Sequence, residues 1–386
     1  YRTLLANLVM KKGRTCKNRY NAEEAKDVLL GVYRTNTLDA MYGYYLSILF
    51  NLGTDISQVE GSGNENFRII PTNSFPTTQS EVQQTWAALY TGIYRANDFL
   101  ERISNKIGSY TTTDKKLATL YIAEARALRG MFYFELVRRF GNVVLMTSTQ
   151  MSNQNPATYV QSAPEKVYEY IEDDLLYACD ILPYATDDQY RESNDYRFSK
   201  GAALGLLTKV YATWAGYPVK DESKWEAAAK TARILVESGK HGLLKDYEQL
   251  WKNTCNGTWD PTESLIEISF YSPTVSGNSD PVGRIGKWNG VKTTAIAGVR
   301  GSCAANVKVV HTFVLDWRED VSDIRRDLSI ANYQYTDTKK SLWVAGASDT
   351  DESAAEKDAD PTKAQKNKQN YTPAKWDIQK YVTTNS

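Results

Sequence analysis

The stretch AEARALRGMFYFELVRRFGNV, residues 123–143, has the pattern of one long and strongly aromatic helix. Its residues Leu128, Phe132, Leu136 and Phe140 recur every four positions, which places them on one face of a helix. Apolar stripes at this spacing are typical of helices that pack into a core. We therefore expect this helix to hold the fold, and we expect a ligand to bind elsewhere.

The end of this helix is marked by charge and by a glycine. Arg138 and Arg139 favour the C-terminal end of a helix, and Gly141 suits the position just after the last turn. Glu135 precedes Arg139 by four residues, so we expect the two to pair on an exposed side. The sequence thus predicts a well-terminated helix.

Helical spacing continues on both sides, over residues 21–240. Capping boxes, in which a polar residue is followed three positions later by Glu, predict helices that begin near Asn21, Ser162 and Ser223. A tyrosine-rich helix is predicted over residues 38–53. Paired helices of this length resemble tetratricopeptide-type units, although no regular array is expected.

Several large or polar residues on these helical stripes are predicted to belong to the core. Trp86, Trp214 and Trp225 are expected to be core side chains. Asn97 is expected to be a buried amide with satisfied hydrogen bonds. Small residues such as Gly201 and Gly205 are expected to let a neighbouring helix approach closely. We also expect Glu124 and Arg129 to make structural bonds.

The character of the chain changes after about residue 250. The segment ESLIEISFYS, residues 263–272, alternates like a strand, and glycine, serine and asparagine dominate the residues that follow. The predicted fold is mainly α: a tetratricopeptide-like scaffold of helical pairs (residues 1–250) with a loop-rich, partly β ligand-binding region (residues 251–386). The C-terminus lacks a closing helix, so we expect the full-length protein to continue.

Composition excludes several classes of function. Lys and Arg together number 46, as do Asp and Glu, whereas nucleic-acid binders usually carry a basic surplus. With 2 His and 4 widely spaced Cys a zinc site is not expected, and the sequence leaves open whether any cysteines pair. There is no apolar run long enough for a membrane span. The chain is rich in Tyr (26) and Trp (9), which suit cores, interfaces and sugar-stacking surfaces alike.

The helix at residues 123–143 resembles the signature of the SusD/RagB family. The matching residues are Ala123, Glu124, Ala125, Arg129, Tyr133, Phe134, Leu136, Phe140, Gly141, Val143 and Leu145. The sequence departs from the pattern at Gly130 and Val144, where alanine and proline are usual. Four further blocks agree in order: YTGIYRANDFLERI, RFSKGAALGLLTKVYATWAG, WEAAAKTARILVESGKHGL and ESLIEISFYS. With the terminal KWDIQKY, the resemblance covers about residues 21–381.

The resemblance implies a binding protein and not an enzyme. Such proteins are lipoproteins on the surface of Gram-negative bacteria that capture oligosaccharides, or peptides in some members. They deliver the ligand to a SusC-like TonB-dependent transporter of the outer membrane. The lipid anchor is expected upstream of residue 1, and no cofactor is implied.

Two loops carry the candidate ligand-binding residues, because exposed aromatic planes and a few polar groups suit sugars and loops on a rigid scaffold often carry function. The first loop, residues 54–80, is longer than most connections. The candidates are Asp55, Asn66 and Phe67 in this loop and Trp259, Tyr271, Arg284 and Trp288 in residues 251–290. The resemblance indicates the same two regions, but it marks no individual residue.

Three alternatives remain open from the residues alone. A glycoside hydrolase needs two carboxylates about 5–10 Å apart, and Glu263 and Glu267 are the nearest pair, without a partner. A helical-repeat adaptor that binds only protein would use the helical surface. Peptide capture suits the same aromatics as sugar capture.

The run SGNSDPVGR, residues 276–284, offers oxygen ligands but matches no calcium loop, so no metal site is predicted.

Overall fold

The structure, a computed structural model, describes residues 21–59, 66–191, 195–270, 283–293, 302–318, 322–336, 339–342 and 371–382. Most of these residues are helical, joined by several short 3₁₀ turns. The α-helices are α1 (Ala22–Tyr33), α2 (Ser80–Lys106), α3 (Thr112–Phe140), α4 (Pro164–Ile181), α5 (Lys200–Ala215), α6 (Lys224–Glu237), α7 (Tyr247–Asn256), α8 (Ile285–Asn289), α9 (His311–Arg318), α10 (Arg325–Ser329) and α11 (Ile378–Tyr381).

The strands are short and form three separate antiparallel pairs, β1–β2, β3–β6 and β4–β5. They are β1 (Ser57–Val59), β2 (Val307–Val309), β3 (Ile330–Ala331), β4 (Tyr333–Thr336), β5 (Lys339–Leu342) and β6 (Thr372–Pro373). Five of the six follow residue 300. The prediction of a mainly α fold with a partly β region in its second part is confirmed.

Helix α3 forms the centre of the main core. Nearly every side chain from Ala123 to Val137 is buried, on all sides of the helix and not only along the expected stripe. Helices α1, α2 and α4 pack around it. At the crossing with α2, a Cβ added to Gly92 would lie 2.6 Å from the ring of Phe132. The prediction that the aromatic helix holds the fold is confirmed.

Because α3 is buried all round, its acidic residues lie inside the protein. Glu135 pairs with Arg138 and Arg139, as expected for Arg139, but the glutamate is buried and not on an exposed side. The periodicity correctly predicted the pair and wrongly predicted its surroundings. An ion pair withdrawn from water in this way depends on keeping both partners.

A second buried ion pair joins α3 to α4. Nε and Nη2 of Arg129 donate to the two carboxylate oxygens of Asp174, both at 2.8 Å, and Nη1 donates to Oδ1 of Asn97 at 2.8 Å. Nδ2 of Asn97 in turn donates to the carbonyl of Met146 at 2.7 Å. The predictions of a structural Arg129 and of a buried, satisfied Asn97 are confirmed.

The observed helix ends match the predicted capping residues at some positions and differ from them at others. The Asn21 side chain accepts from the amide of Glu24 at 2.9 Å, and Gly141 follows α3 with φ of 68°, both as predicted. The helix predicted near Ser162 does begin there, at Pro164, but its predicted side-chain cap is absent. Ser223 does precede α6, but its hydroxyl bonds to Asp221 and leaves the helix uncapped.

Residues 38–53 do not form the predicted tyrosine-rich helix. They form a π turn at Asp39–Gly43, with a non-helical Met41, and a 3₁₀ turn at Leu49–Asn51. The segment runs between two hydrophobic clusters. Leu46 packs into the main core, whereas Tyr44 two residues earlier packs into a second cluster described below.

The predicted strand at residues 263–272 is also absent from its described part, residues 263–270. The consecutive side chains Leu265 and Ile266 both pack against the helical core, which an alternating strand does not allow. Leu265 lies directly against Gly205, where an added Cβ would be 2.6 Å away. Gly205 therefore accommodates this later segment, and Leu235 of the neighbouring helix α6 comes within 3.9 Å of the same added Cβ, whereas the neighbour of Gly201 is His241.

The three helical tryptophans have different surroundings. Trp214 is buried and stacks on Tyr168, with ring centroids 5.3 Å apart, and Trp86 is half-buried against Phe140. Trp225 is 52% exposed, so its assignment to the core was wrong. Its helix α6 buries only Ala228 and Thr231 and leaves its other sides in solvent.

Candidate functional site

A second hydrophobic cluster lies apart from the helical core. Its buried members are Tyr44, Ile48, Leu49, Leu52, Ile70 and Val307, and half-buried Phe67 and Trp288 pack against them. Three of these, Tyr44, Phe67 and Trp288, form what we call the aromatic cluster. It brings Phe67 of the first predicted loop, residues 54–80, close to Trp288 of the second, residues 251–290.

The rings of the aromatic cluster meet edge to face. The centroid of Tyr44 lies 5.0 Å from that of Trp288, at 74°, and 5.9 Å from that of Phe67, at 76°. This is the preferred geometry for aromatic pairs, so the packing fixes the orientation of both outer rings. Burial raises the pKa of Tyr44 to about 12, so its hydroxyl keeps its proton at neutral pH.

Two arginines lie over the outer rings. The guanidinium carbon of Arg68 is 4.9 Å from the centroid of Phe67, and that of Arg284 is 4.9 Å from the centroid of Trp288. Nε of Arg284 also donates to Asp39 at 2.8 Å. Planar cations are thus held beside aromatic surfaces, and one of them is fixed by a carboxylate.

The pairing of β1 with β2 holds this region together. Ser57 lies opposite Val309 and Val59 opposite Val307. The amide of Asn306 donates to the carbonyl of Trp288 at 2.7 Å, which connects α8 to the residues just before β2. The tryptophan is therefore anchored through backbone bonds, and its ring position does not depend on packing alone.

Five of the predicted site residues lie in or near the aromatic cluster. Phe67, Arg284 and Trp288 come together around Tyr44. Asp55 is exposed in the turn before β1, and Asn66 begins the 3₁₀-helix Asn66–Thr72. These five residues belong to, or border on, the same part of the structure.

The remaining two predicted residues are not placed in the aromatic cluster. Trp259 lies against Tyr196, with centroids 5.6 Å apart, and its buried Nε1 has no hydrogen-bond partner among the described residues. Tyr271 lies outside the described residues, as does most of the run at 276–284. Sequence reasoning missed Tyr44 and Asp39. Their signal was the tyrosine-rich segment, which we interpreted as a helix.

The described part of the chain contains no group of three or more His, Cys, Asp or Glu side chains suited to a metal ion. Cys179, Cys255 and Cys303 are free thiols, and Cys16 lies outside the described ranges. In these same ranges no helix is both long and apolar enough to cross a membrane. Predicted residues of both loops meet at the aromatic cluster.

Comparison with known proteins finds similarity to one family. Residues 25–212 match the family model SusD-like, described as starch-binding associating with outer membrane. A SusD-like protein of Bacteroides ovatus is 27% identical over 248 residues, which are 59% of this chain and 43% of that protein. SusD-like protein P2 of Formosa agariphila is 24% identical over 78% of this chain and 55% of its own length. The chain spans about half the length of these relatives.

Solved structures agree on the fold. A laminarin binding SusD-like protein has a TM-score of 0.61 at 24% identity, covering 84% of this chain and 72% of its own. Surface glycan-binding protein A from Bacteroides fluxus has a TM-score of 0.64 at 21% identity, covering 80% and 64%. At such identities the likeness concerns the fold alone.

Proposed function

Because the chain belongs to the SusD/RagB family, we propose that it is a surface binding protein of the bacterial outer membrane that captures oligosaccharides. It delivers them to a SusC-like TonB-dependent transporter. The observation that carries the proposal is the aromatic cluster, in which Phe67 and Trp288 remain half-buried beside Arg68 and Arg284. The laminarin-binding and glycan-binding proteins of the same fold support the ligand class.

The chemistry of the cluster suits sugars. A sugar ring has an apolar C–H face that packs on an aromatic plane, and hydroxyls that need fixed polar partners at its rim. Trp288 supplies the plane, while Arg284 and its partner Asp39 supply a cation and a carboxylate next to it. Because the partners are already oriented, little conformational entropy is lost when the ligand binds.

Tryptophan fluorescence tests the ligand class. The chain is titrated with a panel of neutral oligosaccharides, laminarin fragments among them, and of short peptides. We expect a saturable change with one glycan class, and we expect Trp288→Ala to weaken that binding at least about tenfold, since loss of the stacking plane and of its packing should cost at least about 1.4 kcal/mol.

A matched control is available in Trp225→Ala, which removes an exposed tryptophan on α6, outside the cluster. Its affinity for the glycan should equal that of the wild type. Equal losses in the two variants would contradict a role for the cluster, and a response to peptides alone would replace oligosaccharide capture by peptide capture. Thermal melting of each variant verifies that it is folded.

The delivery step needs a separate test. The full-length protein is cross-linked in its native outer membrane, and the cross-linked partner is identified by mass spectrometry. Recovery of a TonB-dependent barrel is expected. Recovery of other proteins without such a barrel would contradict delivery while leaving glycan capture intact.

A further inference from the structure

Helix α6 carries an apolar stripe on a side that faces solvent. The stripe consists of Trp225, Ala229, Ala232 and Val236. These residues follow one another at intervals of four, three and four positions, which aligns them along one side of a helix. Trp225 is 52% exposed and Val236 is 75% exposed, and Ala229 between them is exposed as well. We call these four residues the α6 stripe.

The α6 stripe is separate from the side by which the helix is held. Helix α6 packs on α5 and buries Ala228 and Thr231, and Leu235 on the same side packs against the main core. Successive residues of a helix are turned by about 100°, so the stripe lies beside this buried side, and Ile234 lies on the side of the helix opposite the stripe. The scaffold therefore holds α6 without using the apolar surface of the stripe.

The sizes of the side chains make the α6 stripe complementary to itself. Large side chains, Trp225 and Val236, stand at its two ends, and the two alanines stand between them. When two copies of the helix run antiparallel, Trp225 of each lies opposite Val236 of the other, and Ala229 lies opposite Ala232. The alanines let the two helix axes approach closely, because the side chains at a contact set the distance between helices. A two-fold symmetric interface requires such a self-complementary surface.

The charges beside the α6 stripe are complementary in the same arrangement. Glu226 and Arg233 are both exposed, on the flank of the stripe that points away from the scaffold. Within the part of the chain that the structure describes, neither side chain has an ion-pair partner. Two antiparallel copies place Glu226 of each beside Arg233 of the other. Charges that flank an apolar seam set the choice of partner and its orientation, so these favour a second copy in the antiparallel direction.

We infer that the chain forms a symmetric dimer in which the α6 stripes of two copies pack against each other in antiparallel directions. Trp225 of each copy packs on Val236 of the other, and Glu226 pairs with Arg233 at the rim. The stripe runs only about 17 Å along the helix, so the contact is smaller than a standard stable interface. We therefore expect a reversible dimer with a dissociation constant of about 10–100 μM. The inference does not depend on the ligand proposed above.

Sedimentation velocity of the purified chain, from about 1 to 300 μM, measures this equilibrium across the expected range. Ala229→Arg places a long charged side chain where Ala232 of the other copy must lie, so the dissociation constant should rise at least about tenfold. Ile234→Arg adds the same side chain on the opposite side of the same helix and should leave the dissociation constant unchanged. Both positions are exposed, so both variants should melt at the wild-type temperature.

Charge reversal tests whether the partner is a second copy. Glu226→Arg alone and Arg233→Glu alone each make both rim pairs repulsive, so each variant should dimerise at least about fivefold more weakly. An equimolar mixture of the two variants should associate as tightly as the wild type, because every reversed charge then meets an opposite one. A chain that is monomeric at every concentration overturns the proposal, as does a mixture that associates no better than the single variants. If Ala229→Arg instead loses only the cross-link to the TonB-dependent barrel, the stripe serves the transporter and the proposal is wrong.

Discussion

Glu124 shows how burial and charge oppose each other at a single side chain. It is almost fully buried, yet it accepts hydrogen bonds from Tyr33 and pairs with Arg197. Burial raises the pKa of Glu124 to about 7, although Arg197 and Tyr33 each lower it. The carboxyl group therefore takes up a proton in the folded protein at a pH where it is ionised in the unfolded chain.

This pKa predicts that stability declines as pH rises. Between the ordinary pKa of 4.5 and about 7, the folded protein binds more protons at Glu124 than the unfolded protein does, so the free energy of unfolding falls with pH. The total fall from this group is at most about 3 kcal/mol. Urea denaturation at pH 5 and pH 8 measures it, and Glu124→Gln, which is neutral at both, should show a smaller fall. An equal fall in the variant would assign the effect to other groups.

Whether a side chain belongs to the core was predictable from the sequence for some residues only. Asn97 and Arg129 were interpreted correctly because polar residues on an apolar stripe must find buried partners. Trp214 and Trp225 look alike in sequence, but only Trp214 faces the core. The pattern along α6 does not reveal that this helix has solvent on most sides.

Helix α3 ends at a residue that only glycine fits well. Gly141 has φ of 68° and ψ of −114°, and a Cβ there would meet no atom within 4 Å. Any cost of adding a side chain is therefore backbone strain and not a clash. Gly31, inside α1, likewise has open space around the position of a Cβ, but its φ is not positive.

These two glycines predict opposite effects of the same substitution. Gly141→Ala should destabilise the protein by about 1–3 kcal/mol, because the left-handed conformation is unfavourable for alanine. Gly31→Ala should stabilise it by about 0.5–1 kcal/mol, because alanine loses less entropy in a helix interior. Chemical denaturation measures both. A stabilising Gly141→Ala would show that the helix ends in another conformation.

The elements that the sequence predicted wrongly share one property. Residues 38–53 and residues 263–270 both pack against the helices without forming a regular helix or strand over their length. Their apolar residues follow the shape of the neighbouring surfaces and not a repeat of their own. The long helices were predictable because each buries a periodic set of side chains. At Gly205, the neighbour proved to be Leu265, which no local pattern indicates.

Across the whole molecule, the aromatic cluster joins distant parts of the sequence. The β1–β2 pairing connects residues 57–59 with residues 307–309, and the ion pair between Asp39 and Arg284 spans 245 positions. The two loops named from composition and resemblance were the regions that meet. Their meeting point at Tyr44 could not be predicted, since it requires the path of the chain around the helical core.

Such long-range contacts predict an order of events in refolding. Helices α2 and α3 are neighbours in sequence and pack directly on each other, so they should form first. The pairing of β1 with β2 should form later, because bringing together residues so far apart in sequence is slow. In pulse-labelled hydrogen exchange, the amides of β1 and β2 should gain protection after those of α3. Simultaneous protection would indicate that the molecule folds as one unit.

The ion pair between Asp39 and Arg284 also has a consequence for shortened forms of the chain. The helices before residue 240 contain most of the main core. The partners of Asp39 and Tyr44, in contrast, are Arg284, Trp288 and Val307. A chain that stops short of β2 would therefore keep the packed helices but lack a complete aromatic cluster, so we expect truncation before residue 307 to spare the scaffold and to remove the proposed binding surface.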